Sequence, residues 1–238
     1  MLREVADPAL EAVARAALEE IGDGARLGLG SGRAASTFIS RLGERVRGGL
    51  RVSGVPTSEA SAALARAAGI VLVELDDGPP LDLTVDGADE VAPDLDLVKG
   101  FGGALVRERI VAAASRRQVI LVGAEKLVPK LGTRGRIPIE VLPFALAPVK
   151  RRTRELGLAA SLRLDPRDGS AYLTDNGNRI LDLAPAAPLD GREARALDAA
   201  LRAIPGVVGT GLFLGTAERV LVGHPDGRVE TRRRVADR

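Results

Sequence analysis

Short apolar strands and amphipathic helices alternate along this chain up to about Gly132, and that alternation constrains the fold more than any other feature. Asp7-Pro8 reads as a helix N-cap followed by proline at the first helical position, and Leu10, Val13, Ala14, Ala17, Leu18 and Ile21 then recur at helical spacing. Gly22-Asp23-Gly24 ends that helix, Arg26–Leu29 suits a buried strand, and Gly30-Ser31-Gly32 makes a tight turn before a helix from Ala34 to Val46. The same succession follows in Arg51–Val55 as strand, Thr57-Ser58 capping a helix through Ala68, and Val71–Val73 as strand. Leu81–Val85 is the next strand, with Asp86 at its carboxyl end, and a helix at Leu105–Ala114 precedes a strand at Val119–Val122. Strands and helices in this order predict an α/β fold: a doubly wound, largely parallel, Rossmann-like sheet. Ligands of such sheets sit beyond the strand carboxyl ends. The Gly30 turn, the Thr57-Ser58 cap, the Asp86 loop and the Gly123 turn all fall there.

Beyond Gly132 the pattern changes. Pro138–Pro143 reads as strand and Leu146–Leu156 as helix. Ser161–Leu164, Ala171–Leu173 and Ile180–Asp182 read as short strands split by turns, notably Asn176-Gly177-Asn178, before a helix from about Gly191 to Ile204. This mixture predicts a second, smaller α+β domain over residues 135–205, with 1–134 and 206–238 forming the α/β catalytic domain. Val207-Val208, Val220–Val222 and Val229 are expected to return to, or border, the first domain.

Bulk composition removes several function classes. The formal net charge is only +2 and aromatics make up 2% of residues, so neither a basic field nor a stacking platform for nucleic acid is expected. Arg232-Arg233-Arg234 reads as a solvated tail. With no cysteine and a single histidine, His224 in a turn, thiolate chemistry and histidine-rich metal sites are excluded. No apolar run resembles a signal peptide or a membrane span, so a cytoplasmic protein is the expectation.

What chemistry the chain carries is concentrated in one stretch. Asp86-Gly87-Ala88-Asp89-Glu90 leads to Lys99-Gly100-Phe101-Gly102-Gly103 and then to Arg107-Glu108-Arg109. Carboxylates, one ammonium and exposed backbone amides are the equipment for moving a proton beside a carbonyl while holding an anion. Lysine occurs only at Lys99, Lys126, Lys130 and Lys150 in an arginine-rich chain, and an ammonium delivers a compact point charge where guanidinium offers a planar fork. Glu108 precedes the apolar Ile110 and Val111, a setting in which partial burial raises a carboxylate's basicity. Oxygen ligation of a metal by Asp86, Asp89 and Glu90 fits less well, because the ligand spacing of a calcium loop is absent. Gly28-Leu29-Gly30-Ser31-Gly32 opens a helix and aims amides at an anion, with Arg33 and Ala34 following, but Arg33 stands where a dinucleotide fingerprint needs glycine. Thr57-Ser58 is explained by capping alone, although its hydroxyls also suit a polyol or a phosphate.

At these residues the chain resembles the A-type ribose-5-phosphate isomerases. The resemblance runs through Val85–Glu90, Lys99-Gly100, Arg107-Glu108, Glu125-Lys126, Pro138–Val141, Thr174–Asn178, Ile204–Val208 and Gly211–Phe213, in the family's order over nearly the whole chain. It implies an aldose–ketose isomerase of the non-oxidative pentose phosphate pathway, interconverting ribose 5-phosphate and ribulose 5-phosphate without metal or organic cofactor. By that analogy Glu108 moves the proton between C2 and C1 through a cis-enediolate. Lys99 stabilises the oxyanion, Asp86 assists ring opening and proton movement between the oxygens, and Asp89 binds hydroxyls and orients Lys99. Substrate contacts are expected from Gly30, Ser31, Gly32, Arg33, Ala34, Ser58, Gly100, Gly102, Gly103 and Lys126. The resemblance also implies a homodimer or dimer of dimers. Three departures stand out: Gly30-Ser31-Gly32-Arg33-Ala34 lacks two hydroxyls of the family's first loop, Gly123 replaces a frequent aspartate, and Phe101 interrupts the glycine run. Arg33 is expected to supply charge for the missing hydroxyls. The alternatives are a non-catalytic sugar-phosphate sensor, a related sugar-phosphate isomerase or deaminase, and a CoA transferase.

Overall fold

The computed structural model describes residues 7–76 and 78–234. In chain order the elements begin α1 (Pro8–Leu18), β1 (Ala25–Leu29), α2 (Gly32–Arg47), β2 (Val52–Pro56), α3 (Glu59–Ala67), β3 (Val71–Leu72) and β4 (Leu83–Gly87). They continue with β5 (Glu90–Val91), β6 (Leu97–Val98), α4 (Leu105–Ala113), β7 (Gln118–Gly123), β8 (Ile137–Val141), α5 (Leu146–Glu155) and β9 (Ala159–Leu162). The chain closes with β10 (Arg179–Ala184), α6 (Gly191–Arg202), β11 (Val207–Thr210), β12 (Leu212–Phe213), β13 (Arg219–Gly223) and β14 (Val229–Arg233). Two compact units result. The first takes the described residues up to Ala88, Arg107–Lys126 and those from Thr216 on; the second takes Asp89–Val106 and Leu127–Gly215.

The first unit is built on a seven-stranded sheet in the order β14-β13-β7-β4-β1-β2-β3, parallel except for the edge strand β14. From β1 the chain winds outward through β2 and β3, then returns to the other side of β1 for β4, β7 and β13. The winding direction therefore reverses between β1 and β4, and a crevice opens there beyond the strand carboxyl ends. The elements form for local reasons. Asp7 accepts the amides of Ala9 (3.1 Å) and Leu10 (3.4 Å) at the start of α1, a cap worth about 1 kcal/mol, with Pro8 in the first turn. The apolar stripe of α1 and Phe38, Ile39 and Leu42 of α2 then join Leu27, Leu29, Val85 and Leu121 in one core.

Two expectations are corrected here. Asp86 lies inside β4, paired opposite Ile120, rather than just past a strand. Arg232 and Arg233 are no solvated tail: they pair opposite Val220 and Arg219 in β14, and Arg232 reaches Glu230 at 2.7 Å. Charge on an edge strand is the ordinary way to keep that edge from pairing further.

In the second unit β11-β8-β10-β9 form an antiparallel sheet whose apolar residues, Ile139, Val141, Leu181 and Leu183, share a core with Val149 of α5 and Leu201 of α6. A three-stranded sheet, β12-β6-β5, accompanies it. Val207 therefore pairs with Val141 inside this unit instead of returning to the first. Asp89–Val106 also belongs to this unit, so the division differs from the one expected at residues 134 and 206. The cause is non-local: β5, β6 and β12 are two residues each, too short to show a period of their own. Ala171–Leu173 forms no strand. Only a single bridge joins Leu164 to Ala171, because the intervening turn is tied off by Asp165, whose backbone bonds Ser170 and Gly169.

Candidate active site

In the first unit the crevice at β1 and β4 is furnished by short polar side chains. Asp86 is fully buried, and its Oδ1 accepts the amides of Ser31 (3.1 Å) and Gly87 (2.7 Å). A Cβ at Gly30 would overlap this carboxylate, so glycine is what lets the first loop pass over Asp86. Ser31 is the N-cap of α2 but bonds none of its amides; its hydroxyl instead lies 2.7 Å from Thr57 Oγ1 and donates to Ser58 Oγ at 2.8 Å. Ser58 completes a capping box with Ser61 at the head of α3. The structure thus unites Gly30, Ser31, Ser58 and Asp86, together with Thr57. The first-turn amides of Gly32, Arg33 and Ala34 open beside this hydroxyl row, where a helix N-terminus favours an anion.

Arg33 is placed elsewhere. Its guanidinium pairs with Asp7 at 3.0 Å and its side chain is 77% exposed. Glu108, by contrast, is 5% exposed on α4, and its neighbour Arg107 bonds Glu59 at the head of α3 at 2.9 Å. Lys126 ends a 3-10 turn that follows β7, so it stands at a strand carboxyl end next to that of β4. The Glu125 carboxylate folds back over Gly123 and fills the space where a side chain at 123 would begin.

In the second unit Lys99 follows β6 and is 2% exposed. Its amide donates to Gly211 O at 2.9 Å, and its Nζ stands 5.6 Å from the centre of the Phe213 ring. The Gly211–Phe213 segment is therefore the platform of Lys99, a cation over an aromatic face. Asp89 binds the start of the glycine loop, its Oδ2 accepting the Phe101 amide at 2.8 Å. Gly103 has a φ of 89° and packs on the Tyr172 ring, which leaves no room for a Cβ. Tyr172 Oη donates to Gly102 O at 3.1 Å, and burial, with the Asp175 charge second, pushes its phenol up from the usual value, so the donor keeps its proton. Phe101 is seated by Arg136, whose guanidinium lies 3.9 Å from the ring centre.

Two other segments of the resemblance meet in this unit. Glu140 of β8 is fully buried, and its Oε1 accepts Thr174 Oγ1 (3.1 Å), Asn176 Nδ2 (3.0 Å) and Asn178 Nδ2 (2.8 Å). This locks the turn that follows Tyr172. Thr57, Tyr172 and Phe213 all carried weak signals in the sequence: a cap hydroxyl, a lone tyrosine and one of four phenylalanines. Among the described residues no group of three or more His, Asp or Glu side chains is placed to hold a metal ion.

The family model described as ribose 5-phosphate isomerase A (phosphoriboisomerase A) matches residues 53–227. The ribose-5-phosphate isomerase A of Gloeobacter violaceus is 50% identical over 220 residues, 91% of this chain and 93% of that protein. That of Nitrobacter hamburgensis is 50% identical over 230 residues, 94% and 97% of the two chains. Among solved structures, the ribose 5-phosphate isomerase A of Methanocaldococcus jannaschii superposes with a TM-score of 0.88 at 40% identity, covering 96% of this chain and 100% of that one. A D-ribose-5-phosphate isomerase in complex with phospho-erythronic acid superposes with a TM-score of 0.89 at 36% identity, covering 95% and 98%. By sequence and by fold, this chain belongs to the ribose-5-phosphate isomerase A family.

Proposed function

We propose that this chain interconverts ribose 5-phosphate and ribulose 5-phosphate, the activity its family is named for, by carboxylate-catalysed proton transfer. The observation that carries the reading is the burial of three ionisable groups, Asp86, Glu108 and Lys99, in a member of that family. Buried charges are costly unless a function or a partner retains them.

In the open-chain aldose the C2 proton becomes acidic only as charge gathers on the carbonyl oxygen. Glu108 takes that proton and returns it to C1 through a cis-enediolate. Lys99 stabilises the charge on oxygen, and its burial beside the Phe213 ring keeps the ammonium away from bulk water, where the same charge is worth far less. Asp86 assists ring opening and moves a proton between O1 and O2; the two amides on its Oδ1 support an aimed carboxylate. Asp89 binds hydroxyls at the root of the glycine loop. The phosphate is met by the first-turn amides of α2 and the Ser31 and Ser58 hydroxyls, with Lys126 adding charge from the end of β7. Gly30 lets that loop pass close over the Asp86 carboxylate and faces the substrate there.

The test is formation of ribulose 5-phosphate from ribose 5-phosphate with a metal chelator present, comparing the wild type with Glu108→Gln. Wild-type turnover with a kcat loss of about 10²- to 10⁴-fold in the variant is expected. No wild-type turnover, or a variant near the wild-type rate, contradicts the reading.

A further inference from the structure

The glycine loop of the second unit is shaped by a residue no motif points to. Arg163 follows β9, and its side chain is 9% exposed. Its Nη1 donates to two successive carbonyls of the loop, Gly100 O at 2.7 Å and Phe101 O at 3.0 Å. Its other face is held in a fork by Asp182 of β10, Nε to Oδ2 at 2.9 Å and Nη2 to Oδ1. Asp182 also faces Arg136, 3.9 Å away, the residue stacked on Phe101.

In a trans peptide the C=O and N–H point in opposite directions, so gripping the oxygen aims the amide. The Gly100–Phe101 peptide is clamped at both ends, oxygen on Arg163 and N–H on Asp89. The Gly102–Gly103 peptide is likewise closed, oxygen on Tyr172 and N–H on Gly100 O at 3.1 Å. Between them, the Phe101–Gly102 peptide has its oxygen on Arg163, while Gly102 is exposed and its N–H has no hydrogen-bond partner among the described residues. Of the three peptides between Gly100 and Gly103, the Phe101–Gly102 peptide is thus the one whose N–H is left to donate, and a guanidinium behind its own carbonyl sets its direction. A buried cation on that oxygen also polarises the peptide and strengthens the donor.

We propose that Arg163, held by Asp182, is a positioning residue that aims the Gly102 N–H at the oxygen that becomes charged during isomerisation. The inference rests on the isomerase reading and deepens it. A donor directed at developing charge matters more to the transition state than to bound substrate. Losing it therefore lowers kcat rather than raising KM. It also weakens a carboxylate analogue that imitates the charged oxygens. Phospho-erythronic acid, bound in a related structure, is such an analogue.

The experiment compares wild type with Arg163→Lys, Arg163→Met and the double variant Arg163→Met/Asp182→Leu, which leaves no buried unpaired charge. The readouts are kcat and KM for ribose 5-phosphate and the calorimetric Kd of phospho-erythronic acid. The expected result is a kcat loss of about 10²-fold in the Met variants, as for removal of one oxyanion donor. KM should stay within about threefold, the Kd should rise at least about tenfold, and Arg163→Lys should recover part of each loss. A merely structural role lowers the melting temperature and the active fraction but leaves Kd and KM untouched, and an unchanged Kd in a folded double variant overturns the inference. Wild-type protein that binds the acid but does not turn over ribose 5-phosphate counts against the isomerase reading; the Kd comparison still decides the role of Arg163.

Discussion

At the carboxyl ends of β1 and β2 the outward amides are aimed by the chain's own secondary structure: a strand stops, a loop passes over Asp86, and a helix begins. At residues 100–103 there is no helix to do this, and the peptides are aimed by Arg163, Asp89 and Tyr172 from distant parts of the second unit. The first arrangement depends on backbone geometry and so tolerates changes of side chain. That explains how Ser31, bonded to Thr57 and Ser58, sits in a loop that lacks hydroxyls the family usually has. The second depends on particular long-range partners, and Phe101 is seated in it by the Arg136 guanidinium over its ring and by a neighbouring apolar cluster.

Four substitutions sharpen this contrast. Lys99→Met removes the buried ammonium and should lower kcat by about 10²- to 10³-fold with little change in KM, measured by steady-state kinetics. Gly30→Ala forces a methyl group onto the Asp86 carboxylate and should cost about 1–3 kcal/mol of stability in denaturant unfolding, the price of overpacking a site that cannot open. Ser31→Ala leaves the helix start intact and removes one hydroxyl from the row; KM should rise about fivefold, the worth of a single hydrogen bond, with kcat within about twofold. Arg33→Ala has the smallest expected effect. Its guanidinium sits in an exposed pair with Asp7, and KM should change by less than about threefold. A KM increase of about tenfold or more, with kcat intact, would move Arg33 from that pair to the phosphate and break the claim that backbone geometry carries the first site.

The same contrast governs what could be read from the sequence. Capping by Asp7 and the alternation of strands and helices follow from local patterns, and both are present; the reversal of winding at β1 is a matter of strand order, which no local pattern sets. Asp86, Asp89, Lys99 and Glu108 stood out because their spacing is compact. Arg163 did not, since one arginine beside a short strand has no local signature, and its partners lie 62 and 63 residues away. Ala171–Leu173 departs from the expected strand for a related reason. Its alternation suits a strand, but the turn tied by Asp165 leaves room for a single bridge. The strands of the three-stranded sheet are too short to have a pattern at all, so the division of the chain into units was visible only in their pairing.

The central claim is that a carboxylate, Glu108, carries a proton between adjacent carbons. It is tested most directly by converting ribulose 5-phosphate to ribose 5-phosphate in D2O with a chelator present, in the wild type and in Glu108→Gln, and following deuterium at C2 by NMR. The account predicts solvent deuterium at C2 of the wild-type product, with exchange and conversion falling together in the variant. A Glu108→Gln protein that incorporates deuterium at C2 and turns over at an undiminished rate would contradict it.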